Sequence, residues 1–181
     1  MTPRHTIVAL VEDRPGVLNR VSSLFRRRGF YISSLAVGKS EQPHLSRMTF
    51  VVEGDEDTVE QVTKQLNKLI EVIRVSELNE EDIVVRELAL IKVHASATTR
   101  SEIMQLVAIF RANIVDVGPQ SLIIEATGEE DKINALYNLL RPFGVRELMR
   151  TGRIAMSRGT LEGRGERGAV QTNGASGGDR S

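Results

Sequence analysis

The chain has 181 residues, 24 of them basic and 24 acidic, and no cysteine, so disulfides, thiolate catalysis and cysteine-based metal sites are excluded. A formal charge of zero counts against a dedicated nucleic-acid binder, whose affinity comes from neutralising phosphates. Hydrophobic residues at 40% and charged ones at 27% are ordinary for a globular protein. No apolar run approaches the roughly 20 residues that span a bilayer, and MTPRHTIVALVEDRPG meets an acidic break too soon for a signal peptide. A cytoplasmic location without membrane attachment is expected.

In chain order, Thr6 to Val11 is a short β-branched run that reads as a buried strand. Pro15 to Arg28 reads as a helix, with Pro15 in its first turn and Val17, Leu18, Val21, Leu24 and Phe25 on one stripe. Arg26, Arg27 and Arg28 suit the negative end of its dipole, and Gly29 suits a left-handed cap. Tyr31 to Val37 and Arg47 to Val52 are predicted strands, joined by a loop containing Pro43. A second helix is predicted from Glu56 to Leu69, capped by Asp55, with Val59, Val62, Leu66 and Leu69 inward. Glu71 to Val75 completes a β-α-β-β-α-β order.

The second half repeats that order. Val85 to His94 is a strand, and Thr99 to Arg111 a helix whose Thr99 and Glu102 have capping-box spacing. Ile114 to Val117 and Leu122 to Ala126 form a hairpin about Gly118-Pro119. A helix follows over Glu129 to Leu140 with Pro142 just past its end, then a strand from Val145 to Leu148. The expected fold class is therefore α+β, two tandem ferredoxin-like βαββαβ sandwiches. The expected divisions are residues 1–78, a polar linker at 79–84, a second unit at 85–158 and a tail at 159–181. Units of about 75 residues have marginal cores, and open sheet edges are liabilities, so association is favoured. The tail holds seven of the fifteen glycines and few apolar residues, so it is expected to be disordered.

For catalysis the chain offers no Gly-x-Ser-x-Gly elbow and no His-Glu-x-x-His. Its three histidines, His5, His44 and His94, lie far apart, and no metal site is expected. Carboxylate runs such as Glu53-Asp55-Glu56-Asp57 sit where caps and solubilising charge are wanted. The residues argue against an enzyme. The turn Asp13-Arg14-Pro15-Gly16 opens a helix, so its backbone N–H groups point at whatever lies before them. One glycine, no following lysine and an adjacent acid disfavour a polyphosphate; a single carboxylate suits the turn better. An RNA-recognition module shares the element order. Arg28-Gly29-Phe30 matches only three positions of its signature, on the wrong strand, and the third strand offers one aromatic, Phe50.

The string VEDRPGVLNRVSSLFRRRGF after a first strand resembles an ACT domain, a small-molecule-sensing ferredoxin-like module. ISSLAVG, LSRMTFVV, EQVTKQLNKLIEVIRVSEL, VRELALIKV, FRANIVDV, IEATG and MRTGRIAMSRG follow in the order of the small, regulatory subunit of acetohydroxyacid synthase (acetolactate synthase). The resemblance runs from about residue 5 to residue 159 and implies a chain without an active site. Such a subunit binds and activates a large catalytic subunit that uses thiamine diphosphate, magnesium and FAD, and it confers feedback inhibition, usually by valine. It implies dimers through paired edges of the N-terminal ACT sheets. The branched-chain amino acid is then held by Asp13, Pro15, Gly16, Val17 and Leu18 of one chain and Tyr31 and Ile32 of the other. The helix-start amides near Gly16, Val17 and Leu18 would take the effector carboxylate, Asp13 its ammonium, and Gly16 would leave room. The family usually has asparagine where this chain has Tyr31, so altered valine binding is expected, with dimerisation and activation retained. The alternative is a stand-alone amino-acid sensor with another partner.

Overall fold

A computed structural model describes residues 3–78 and 80–159. Apart from Gly159, the Gly-rich tail lies outside them. The first unit comprises β1 (Arg4–Glu12), α1 (Val17–Arg28), β2 (Tyr31–Lys39), β3 (Leu45–Glu53), α2 (Glu56–Leu66) and β4 (Val72–Leu78). The sheet is antiparallel in the order β2-β3-β1-β4, so β2 forms one edge. Alternation decides its faces. Ile7, Ala9 and Val11 of β1 and Met48, Phe50 and Val52 of β3 point to the two helices and join the core. Phe50 is fully buried and stacks on Phe25 with ring centroids 5.3 Å apart.

Local rules place most helix ends. Gly29 adopts φ 68°, and its N–H and that of Phe30 return to the carbonyls of Arg26 and Phe25, closing α1 behind its three arginines. The Asp55 carboxylate accepts the Thr58 amide at 2.9 Å and caps α2. Three expectations need correction. Pro15 lies outside α1, because Gly16 at φ 90° is the residue before its first turn. Leu18 is exposed rather than on the buried stripe, being one residue round from Val17. The second helix stops at Leu66, after which a turn carries Leu69 back onto the core.

The second unit comprises β5 (Ile83–His94), α3 (Arg100–Ile109), β6 (Asn113–Val117), β7 (Ser121–Gly128), α4 (Glu130–Gly144) and β8 (Val145–Arg150), with sheet order β6-β7-β5-β8. Its core is built from Ala89, Ile91, Val93, Ile103, Ile124, Ile133, Leu136 and Leu140, among others. The Thr99–Glu102 box does not form. Ser96 and Thr99 cap one another instead, the Thr99 N–H donating to Ser96 Oγ at 3.2 Å and the Ser96 N–H to Thr99 Oγ1 at 3.1 Å. Pro142 lies inside α4, in its last turn, where its missing N–H gives up one i→i−4 bond; Gly144 at φ 94° ends the helix.

The expected linker 79–84 is partly ordered secondary structure. Residues 80–82 form a single 3-10 turn and Ile83 already begins β5. The first four residues of β5 pair with an unexpected strand, β9 (Ile154–Ser157), in register from Ile83↔Ser157 to Arg86↔Ile154. This two-stranded ribbon lies across the helix-free face of the first sheet. The clefts between them are lined by Val8, Ala36 and Thr49 on one side and by Val84, Ala155 and Met156 on the other. Thr6, Val8, Thr49 and Val51 are buried beneath it, and Ile83, Val85 and Ala155 form a small core of their own.

Candidate effector site

The turn from β1 to α1 is pinned at both backbone shoulders. The Glu12 N–H donates to the Glu71 carbonyl at 2.9 Å and the Asp13 N–H to the His44 carbonyl at 2.8 Å. The chain then rises through Arg14 and Pro15 to Gly16. The positive φ there is the reason for glycine: a Cβ at Gly16 would meet nothing within 4 Å, so in the single chain conformation, not crowding, excludes a side chain. Among the described residues no side chain caps α1, and its first turn holds no acid. The Val17 N–H has only a long 3.5 Å contact to the Arg14 carbonyl, and those of Leu18 and Asn19 precede the first helical acceptor. The positive end of the helix therefore faces solvent, a setting that favours an anion. The Asp13 carboxylate is exposed beside it, and no described residue pairs with it.

Beneath the turn lies a group that local pattern could not single out. Glu71, just before β4, has a side chain only 5% exposed. Its Oε1 receives Arg20 NH1 at 2.7 Å and Arg14 NH2 at 3.3 Å, while Arg14 Nε also reaches Glu12 at 2.5 Å. One carboxylate thus ties the residues on both sides of Gly16. A lone acid opening an apolar strand names no partner, since only the fold brings residues 14, 20 and 71 together.

The remaining expected site residues lie elsewhere. Tyr31 opens β2 opposite Glu53, which in turn pairs with Arg4, whereas Glu12 pairs with Leu45 at the other end of the sheet. At a strand rise of about 3.3 Å per residue these ends are roughly 25 Å apart. Tyr31 is 62% exposed, while Ile32 turns inward and packs on the core. A single chain therefore brings together Asp13, Pro15, Gly16, Val17 and Leu18 but keeps Tyr31 and Ile32 away from them.

Other features narrow the chemistry. Phe50, the one aromatic of the third strand, is buried in the helix-side core, so it offers no stacking surface to RNA. Among the described residues no group of three or more His, Asp or Glu could hold a metal ion, and no helix is long and apolar enough to cross a membrane. Three arginines of the second unit, Arg146, Arg150 and Arg153, have partners within the chain. Arg150 grips the nearly buried Glu87 through two nitrogens and Asn134 through a third. Arg153 donates to Thr6, and Arg146 to Nδ1 of His94.

Comparison with known proteins places this architecture. Residues 7–74 match the family described as "AHAS small subunit-like ACT domain" and residues 86–159 the one described as "Small subunit of acetolactate synthase". A probable acetolactate synthase small subunit of Archaeoglobus fulgidus is 61% identical over 86% of this chain and 98% of its own length. The acetolactate synthase small subunit of Mycolicibacterium smegmatis is 58% identical over 87% of this chain and 93% of its own. Among solved structures, the acetolactate synthase small subunit of Thermotoga maritima superposes with a TM-score of 0.83 at 47% identity, covering 86% of this chain and 98% of that one.

Proposed function

The chain belongs to the family of acetolactate synthase small subunits, and from that premise we propose that it activates a thiamine-diphosphate-dependent catalytic subunit and carries feedback inhibition by a branched-chain amino acid. Thiamine diphosphate, magnesium and FAD belong to the catalytic partner, which forms acetolactate on the way to valine, leucine and isoleucine. Residues 1–78 sense the effector and dimerise, and residues 85–158 are the regulatory half.

The observation that carries the effector reading is the start of α1, uncapped by any described side chain, beside the exposed carboxylate of Asp13. Amides at Gly16 to Leu18 suit an α-carboxylate, and Asp13 suits an α-ammonium. The separation of Tyr31 from that turn supports a site shared between chains. Antiparallel pairing of two β2 edges about a two-fold axis sets the Tyr31 end of one strand beside the Lys39 end of its partner. That is the end of the sheet on which the partner's turn lies. Pairing also removes an exposed edge. An effector that favours one dimer arrangement then shifts the population that the catalytic subunit meets.

Acetolactate formation by the catalytic subunit, with and without this chain and across added valine, leucine and isoleucine, tests the reading. Activation and inhibition by at least one of the three are expected; neither appearing would refute it. Co-purification without a thiamine-dependent subunit would favour a stand-alone sensor. Tyr31, in place of the family's usual asparagine, weakens or alters valine binding while leaving the dimer and activation intact. Calorimetric titration of Tyr31→Asn should show tighter valine binding than the unmodified chain, and equal tight binding by both would sink this part.

A further inference from the structure

The corner between β8 and β9 touches β2 where the effector end of that strand departs from its ladder. Tyr31 and Ile32 pair with Glu53 and Val52, but Ser34 pairs with Val51, so Ser33 is an extra residue in a bulge. A bulge leaves its extra residue unpaired and locally disrupts the ladder. Here the Arg153 N–H donates to Ser34 Oγ at 2.9 Å. Gly152 adopts φ 80° and comes so near that a Cβ on it would stand 2.6 Å from Ser34 Oγ and 3.4 Å from the Leu35 carbonyl oxygen. The Arg153 side chain passes on to β1, donating from NH1 to the fully buried Thr6 Oγ1 at 2.8 Å.

The other side of the corner is anchored in the second unit. The Thr151 N–H donates to the Leu88 carbonyl at 3.0 Å, and the Leu88 N–H to Thr151 Oγ1 at 3.1 Å. Arg150, one residue earlier, is held by Glu87 of β5 and Asn134 of α4. We propose that Thr151, Gly152 and Arg153 position the Tyr31–Ile32 end of β2, so that the second unit completes the effector site and receives its displacement directly. The proposal rests on the effector reading above. A shift of the β2 start either breaks the Ser34–Arg153 bond or moves the corner, and the corner is continuous with the centre of the second sheet.

The test uses the full chain with Ser34→Ala, which removes the acceptor without bulk, Gly152→Ala, which wedges the corner from β2, and Ser34→Thr, which keeps the hydroxyl. Calorimetry with valine, leucine and isoleucine should show effector affinity at least five-fold weaker in Ser34→Ala and Gly152→Ala, and within two-fold of the unmodified chain in Ser34→Thr. A corner that serves stability alone would lower the melting midpoint and leave affinity within two-fold, and that result overturns the proposal. Should Gly152→Ala not fold, Ser34→Ala and Ser34→Thr carry the comparison. If the unmodified chain binds none of the three amino acids, the effector reading fails by itself. Hydrogen exchange across residues 31–37 then decides the positioning role. Faster exchange in Ser34→Ala than in Ser34→Thr supports it, and equal exchange overturns it.

Discussion

Glu71 and its two arginines make an unequal set of partners, and the inequality predicts an order of stabilities. The Glu71 side chain is 5% exposed, against 53% for Arg14 and 63% for Arg20, and its Oε2 is buried without a partner among the described residues. In Glu71→Gln the volume is kept and both guanidinium groups can rehydrate in place. Two half-exposed pairs then cost about 1 kcal/mol together. In the double variant Arg14→Ala with Arg20→Ala the carboxylate stays under the turn and loses every cation that justified its burial, which costs about 3 kcal/mol. Arg20→Ala should cost more than Arg14→Ala, because its contact is shorter and Arg14 retains Glu12. Adding Glu71→Gln to the double variant should recover most of the loss, bringing it back to about 1 kcal/mol, a coupling of roughly 3 kcal/mol. Urea unfolding followed by circular dichroism measures all five. If Glu71→Gln proves as costly as the double variant, the carboxylate is not the desolvated partner and the account of the turn is wrong.

Three further outcomes follow from single sites. Gly16→Ala forces a side chain into the left-handed region but into open space, so it should cost about 1–2 kcal/mol in thermal unfolding; a greater loss would mean a clash that the chain alone does not contain. Arg150→Lys keeps the charge yet cannot hold Glu87 with two nitrogens and Asn134 with a third, and about 1–2 kcal/mol should be lost; an unchanged melt would show that point charge suffices. The Thr58 hydroxyl, followed by its amide, holds the Asp55 carboxyl below the usual range. The folded form therefore prefers the ionised cap, whose contribution is present above about pH 4 and is lost as pH falls through the lowered value. The melting difference between the unmodified chain and Asp55→Ala should shrink in acid, and a difference that grew there would contradict the sign.

Where neighbours in sequence decide a structure, the amino acids disclose it. The two βαββαβ orders follow from switches between two-residue and helical periodicity, and the caps at Gly29 and Asp55 from residues one turn apart. The helix start at residues 13–18 is legible for the same reason. Ile154 to Ser157 has no such signature: four residues flanked by arginines become a strand only because the start of β5 lies alongside. At the start of α3, Thr99 pairs reciprocally with Ser96 before it rather than with Glu102 after it. The distance from Tyr31 to Gly16 depends on strand order, and the burial of Glu71 on two arginines arriving from a different element. Neither is written in any local spacing.

The ribbon of β5 and β9 also bears on how the chain may be cut. A fragment ending at residue 78 would retain four strands and both helices of the first unit, the whole of what a minimal sensor needs by element count. It would also bare Val8, Thr49 and Val51 across a sheet face that evolved under cover, and leave the Thr6 hydroxyl without Arg153. Such a fragment invites clumping through that face, and its solution behaviour would report a wound rather than the native edge. Dissection of this protein should therefore carry residues 83–86 and 154–157 with the first half, or leave the chain whole.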